Sequence, residues 1–385
     1  MPAGHVTLVE SIARIYLSAA TETIWMVGSM RVETELRQVL GERPNVQYLT
    51  RQADESVSAV LQRFSQCQPD ETYLVTSDAF LEELAGHPWQ GNVHWVIHNL
   101  DAWFNIGFWN NMYAFLLRVF NLRQTGLRSL GYWWKWYFVQ PAYKRKILRF
   151  LQAGSHKFVV LNALLKAEIL PYVQEEKIEV IPFSLYAGDI FDLSGENSKL
   201  RVCVPGYVTQ IRRDYIGLLK LLEQHADRYA PAIEFDFLGG PDLVDTRTEE
   251  IIARVNQLQT RGLTIYTYRQ AVKIKDFDQN LALADVILGN LNIQLNRLSR
   301  YGKTKESGVP FTMIKAAKPG LLPTGYATMP ELSSSTLFYQ NYTELDTLFT
   351  QLSADHDFLR NLKANARRNA QAFTPENVYH HLHST

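Results

Sequence analysis

The chain has 385 residues, with 39 basic side chains balanced by 39 acidic ones and only two cysteines. That length exceeds what one hydrophobic core usually serves, so two domains are expected. Cys67 and Cys203 lie far apart without metal-ligand spacing, which argues against a disulfide-stapled scaffold or a cysteine metal site and fits a reducing compartment.

In chain order, Gly4-His5 precedes an amphipathic helical pattern over residues 6–19. Residues 23–27 read as a strand ending at Gly28, residues 32–40 as a helix and residues 46–49 as a second strand. Apolar runs at 72–75, 93–97, 157–161 and 178–182 continue the series. Strands separated by helical patterns predict a parallel sheet covered on both faces. His98 follows the most apolar of these strands, at the edge where such sheets carry ligands, and is a candidate base or sugar-binding group.

Residues 102–167 break the pattern. They contain no Asp or Glu, ten Lys or Arg, and sixteen aromatic residues that include five of the eight Trp. The rest of the chain is left with 29 basic against 39 acidic groups, an asymmetry that points to a polyanionic partner. Trp133, Trp134 and Trp136, followed by Lys144, Arg145 and Lys146, combine rings suited to a half-wet boundary with cations suited to anionic headgroups. An anionic membrane surface is therefore the expected partner, and these six residues its expected contacts. Nucleic acid is not expected, because the chain is neutral and shows no nucleic-acid module. Arg118, Arg123, Arg128 and Lys135 interrupt the apolar region, so no run reaches the roughly 18 to 20 residues of a membrane span. With no secretory signal at the start of the sequence, the expected location is cytoplasmic, peripheral on the inner face of the membrane.

A second series follows residues 188–199, which read as a linker rich in Gly, Ser, Asp and Asn. Its strands are expected at 200–204, 233–238, 263–266 and 286–288, with helices at about 214–228 and 248–259, another at 311–317 and a last one at about 355–373. Two consecutive Rossmann-like, doubly wound α/β domains are expected, with an interdomain cleft: 1–187, then 188–365, then a tail 366–385 that could return to the first domain.

Two polar clusters stand out in the second series. Gly206 opens a strand-to-helix loop containing Thr209, Arg212 and Arg213, where glycine lets backbone approach a ligand, helix-start amides attract anions, and arginine forks suit phosphate oxygens. The alternative is that the arginines form surface ion pairs with Asp214 or a nearby acid. Lys303, Thr304, Lys305, Glu306, Ser307 and Gly308 form the other cluster, before the helical pattern at 311–317. It offers cations, hydroxyls and one carboxylate to phosphates and sugar hydroxyls, and it can equally be a solvated loop. Neither cluster is a Walker motif or a metal signature.

These pieces, with Phe237-Leu238-Gly239-Gly240, Ala284-Asp285-Val286-Ile287-Leu288 and Ala316-Ala317-Lys318-Pro319-Gly320 in the same order, resemble the donor-binding half of GT-B glycosyltransferases, particularly the large retaining superfamily that builds bacterial polysaccharides and glycolipids. The resemblance implies a transferase of hexosyl type, metal-independent and without a cofactor, that moves a sugar from a UDP- or GDP-sugar to a saccharide or lipid-linked acceptor. It implies donor contacts from Gly206, Thr209, Arg212, Arg213, Gly239, Lys303, Thr304, Lys305, Ser307 and Gly308, with Glu306 on donor hydroxyls and His98 on the acceptor side. The two glutamates characteristic of the superfamily fall here at Ser307 and Lys315, with Glu306 one residue from the first. Retention or inversion thus stays open, and a nucleotide-sugar epimerase of the same fold or a non-catalytic sugar-nucleotide or membrane-binding protein are the alternatives.

Overall fold

The computed structural model describes residues 4–19, 23–75, 80–104, 111–112, 115–116, 134–186, 188, 198–296 and 299–384. The chain divides into two compact units, one of Met1–Ala13 with Ala20–Ile181 and one of Arg14–Ala19 with Pro182–Thr385. Among the described residues no helix is long and apolar enough to cross a membrane.

In the first unit, β1 (Ile24–Ser29) pairs in parallel with β2 (Val46–Arg51). A separate parallel sheet holds β3 (Glu71–Leu74), β4 (Asn92–Val96), β5 (Lys157–Val160) and β6 (Ile178–Val180) in chain order. Phe158, Val159 and Val160 are all fully buried, as a strand covered on both faces requires. Trp95 of β4 stands between Leu74 and Phe158 in the register and packs edge-on against Trp103. His94, on the same strand, is buried beside Glu179, its Nδ1 2.7 Å from the carboxylate. A helix at Gln140–Ala153 turns Ile147 and Leu151 into this core.

The second unit is built on one six-stranded parallel sheet. In space its order is β12-β11-β10-β7-β8-β9, where β7 is Leu200–Cys203, β8 Ile233–Asp236, β9 Thr264–Tyr266, β10 Val286–Leu288, β11 Gly320–Pro323 and β12 Thr336–Tyr339. Successive strands run outward from β7 to β9, then start again beside β7 at β10. The chain therefore reverses direction between β7 and β10, and in open α/β sheets a ligand sits in the crevice at the carboxyl side of that reversal. Helix Tyr215–Gln224 covers the sheet with Leu218, Leu219 and Leu222 fully buried. The expected helix over 214–228 is interrupted at His225, after which Ala226–Tyr229 adds one turn. The helix expected at 355–373 runs over His356–Ala370 and tightens into a 3-10 turn at Gln371–Phe373. Tyr16, from the short N-terminal piece assigned to this unit, meets the ring of Tyr379 edge-on at 6.0 Å.

Candidate functional site

The loop after β7 is shaped by close backbone approach. Gly206 has φ 98°, in the left-handed region, and a Cβ there would lie 3.0 Å from Arg213 Nη2. Across from it, a Cβ on Gly239 would lie 2.2 Å from the Gly206 carbonyl oxygen, so both positions need glycine. Arg213 is 8% exposed. Its Nη2 donates to the Pro205 carbonyl, while its Nη1, also buried, has no hydrogen-bond partner among the described residues.

Residues 289–293, which continue β10, run alongside this loop. Asp214 N donates to the Asn290 carbonyl at 2.9 Å, Asn292 N donates to the Arg212 carbonyl at 3.0 Å, and Arg213 forms an isolated antiparallel bridge with Leu291. Asn290 is 2% exposed, yet neither atom of its side-chain amide has a hydrogen-bond partner among the described residues. The Tyr215 hydroxyl is likewise buried and unpartnered, and burial raises it above its ordinary value against the pull of Arg213. Buried polar atoms are ordinarily paired. Three such groups at the reversal of strand order mark where a polar ligand would be received.

The second cluster reaches the same neighbourhood. Tyr301 N donates to the Ile293 carbonyl at 2.9 Å, and Gly302 N donates to the Lys305 carbonyl at 2.9 Å, folding 300–305 into a tight turn. Burial raises the Tyr301 hydroxyl, the charges of Arg212 and Arg213 lower it, and Glu306 adds to the rise. One buried ring thus feels both arginines and the carboxylate, and Lys305 Nζ stands 6.0 Å from its centroid. Arg212 and Lys303 are exposed.

Several expected donor contacts are occupied by the fold itself. The Thr209 hydroxyl donates to Asp245 at 2.8 Å, Thr304 Oγ1 accepts from Arg300 N at 3.0 Å, and Ser307 Oγ caps the helix Gly308–Ala316 by accepting from Val309 N at 3.2 Å. Glu306 accepts from Ser307 N at 2.7 Å and from the Tyr326 hydroxyl. Lys315 pairs with Asp278 at 2.7 Å. The helix-start amides expected to attract an anion are also engaged, since Gly217 N donates to Asp214 and Ile216 N to Gln210. Positive charge at this edge therefore comes from side chains rather than from free amides. Asp214 is committed as well: burial works to raise its carboxyl, but Gln210, Gly217 and Tyr342 hold it below the usual value. The arginines do not pair with it.

His98 lies in the first unit, half-buried just beyond β4. The expected membrane contacts need one correction. Lys144 is buried, with Nζ donating to the Ala102 carbonyl at 2.9 Å and lying 5.3 and 5.4 Å from the rings of Trp103 and Trp136. Its charge serves the interior because a carbonyl and two ring faces replace its water. Trp134, Arg145 and Lys146 are exposed, Trp136 is half-buried, and Trp133 lies outside the described residues.

A cavity of about 700 Å³ opens elsewhere in the second unit, lined by Lys199, Lys318 and Lys363. It sits at the amino ends of the strands, beside the C-terminal ends of Gly308–Ala316 and Tyr342–Ala354. Lys363 pairs with Asp285 and Lys199 donates to the Ala230 carbonyl, and the helix dipoles favour cations there as well, so the candidate site lies at the opposite, carboxyl edge. Among the described residues no group of three or more His, Cys, Asp or Glu is placed to hold a metal ion.

No protein-family model and no curated protein matches the sequence. The fold is nevertheless that of GT-B glycosyltransferases, α/β with two Rossmann-like units. The chain is similar to Anabaena HepE, solved with UDP and glucose, at 13% identity and a TM-score of 0.61 over 100% of this chain and 96% of that one. It is also similar to a Rickettsia africae glycosyltransferase, with 11% identity, a TM-score of 0.59 and coverage of 99% and 93%. WaaG, a glycosyltransferase involved in lipopolysaccharide biosynthesis, gives 13% identity and a TM-score of 0.53 over 98% and 96% of the two chains.

Proposed function

We propose that the chain is a glycosyltransferase of hexosyl type that transfers a sugar from a UDP- or GDP-sugar to a saccharide or lipid-linked acceptor, in surface polysaccharide or glycolipid synthesis. The observation that carries this reading is the buried Arg213, with one guanidinium nitrogen unpartnered, beside the unpartnered amide of Asn290 at the reversal of strand order. A fixed, desolvated guanidinium suits the diphosphate of a nucleotide sugar, whose charge grows as the glycosidic bond breaks. Arg212 and Lys305 would add charge from the rim, so the leaving group needs no metal. The likeness to HepE, which binds UDP and UDP-glucose, supports this ligand class. His98 is the proposed acceptor-side group. Trp134, Arg145 and Lys146 are the proposed membrane contacts, which makes the protein peripheral on the cytoplasmic membrane face.

A second reading, a sugar-nucleotide-binding protein without turnover, is favoured by one observation. Glu306 and Lys315 are held by Tyr326 and Asp278 rather than left open. Thermal stabilisation by a panel of UDP- and GDP-sugars, followed by nucleotide release with saccharide and lipid-linked acceptors in EDTA, separates the two. Ligand-induced stabilisation with release supports the transferase. Stabilisation without release supports the binder, and no stabilisation by any sugar nucleotide contradicts both.

A further inference from the structure

Two loops at the carboxyl edge of the second unit's sheet present an apolar tip. Tyr207 is 50% exposed, Ile211 61%, Leu243 91% and Val244 85%. Isolated exposed apolar residues are ordinary, but four on two adjoining loops form a patch that water does not favour.

The tip is fixed in place. Val208 N donates to the Gly240 carbonyl at 3.0 Å and Asp242 N donates to the Val208 carbonyl at 3.1 Å. One oxygen of Asp245 accepts from Thr209 Oγ1, Gln210 N and Ile211 N, while its other oxygen accepts from Arg247 N at 2.9 Å. Asp242 Oδ1 accepts from Val244 N at 3.1 Å. These bonds satisfy the loop backbone and leave the apolar side chains outward.

The surroundings are cationic. Arg212 flanks Ile211, the loop after β9 carries exposed Arg269 and Lys273, and the helix Ile274–Ala282 that follows carries exposed Lys275 in its first turn. That loop adjoins the tip, because a Cβ on Gly240 would lie 2.5 Å from the Gln270 carbonyl carbon. Among the described residues none of these four cations is within ion-pair distance of a carboxylate. Asp242 and Asp245 are taken up inside the loops, Glu250 pairs with Arg247, and Glu249 and Asp276 are exposed acids nearby, outnumbered by the four cations. A second copy of the chain would bring this positive collar against itself. An anionic bilayer takes the apolar tip into its boundary and the collar onto its headgroups.

We propose that Tyr207, Ile211, Leu243 and Val244, with Arg212, Arg269, Lys273 and Lys275, form a docking surface of the second unit for an anionic phospholipid bilayer. This surface shares only Arg212 with the sugar-transfer reading and is distinct from the Trp134 to Lys146 contacts. The test is co-sedimentation with phosphatidylglycerol-containing vesicles, set against pure phosphatidylcholine. Leu243→Asp with Val244→Asp should lower the apparent affinity by about tenfold or more with an unchanged melting temperature. Leu243→Trp should raise it, which guards against reading a folding defect as lost binding. Arg269→Gln with Lys273→Gln and Lys275→Gln should weaken the preference for the anionic vesicles several-fold. The proposal is overturned if the parent protein binds neither vesicle, or if the Leu243 and Val244 variant binds as well as the parent. It is equally overturned if that variant changes only the sedimentation coefficient, which would identify a second copy as the occupant.

Discussion

Arg212-Arg213 and Lys144-Arg145-Lys146 look alike in the sequence, yet the structure treats them differently. Each run sends one cation inward and leaves its neighbours in water. Lys144 is received by a carbonyl and two ring faces. Arg213 is received by the Pro205 carbonyl, but one of its nitrogens is left without a partner beside Asn290. A basic run in a sequence therefore does not define a face. What separates a structural cation from a ligand-binding one is whether burial completes its hydrogen bonds.

That difference can be broken from either side. The largest stability effect is expected for Lys144→Met, which removes the hydrogen bond and the ring contacts and should cost about 1–3 kcal/mol. A lowered melting temperature in a scan, with UDP affinity retained, is the expected outcome, and an unchanged melting temperature would show the buried charge to be dispensable. Next is Asp245→Asn, which turns a donor toward groups that already donate and should loosen the loop carrying Arg213. Burial works to raise Asp245, but hydrogen bonds from Arg247 N, Thr209, Ile211 N and Gln210 N hold its carboxyl below the ordinary value. Its contribution is thus present above the ordinary carboxylate range and lost as pH falls through the lowered value. The gap in melting temperature between parent and Asn variant should be open at neutral pH and should close below about pH 4. A gap that persists in acid would rule out the ionised carboxylate as its source. Smallest is Arg145→Gln with Lys146→Gln, expected to lower anionic-vesicle affinity a few-fold with no change in stability. Lost stability instead would place these side chains with Lys144.

Much of the second unit was legible in the sequence, because its strands are short apolar runs closed by glycine or acid. β7, β8 and β10 fall where the runs at 200–204, 233–238 and 286–288 place them. β11 and β12 were not expected. Gly320–Pro323 is four residues bounded by prolines, and Thr336–Tyr339 follows a serine run, so both carry turn chemistry while tertiary pairing makes them strands. At the site, Arg213 was legible as charge. Asn290 was not, since an asparagine after a strand ordinarily reads as a turn residue, and only its burial with both amide atoms unpartnered reveals it. Asp245 was hidden for a similar reason: its partners on the Arg213 loop, Thr209 and Gln210, lie more than thirty residues away. Nothing in residues 144–146 alone distinguished the buried lysine from the exposed pair.

The central claim is that Arg213 waits for a diphosphate, and calorimetric titration of UDP against uridine in the parent and in Arg213→Ala tests it most directly. The parent should prefer UDP, and the substitution should reduce that preference by about ten- to a hundredfold while leaving uridine binding nearly unchanged. An undiminished preference for UDP in Arg213→Ala would contradict the account.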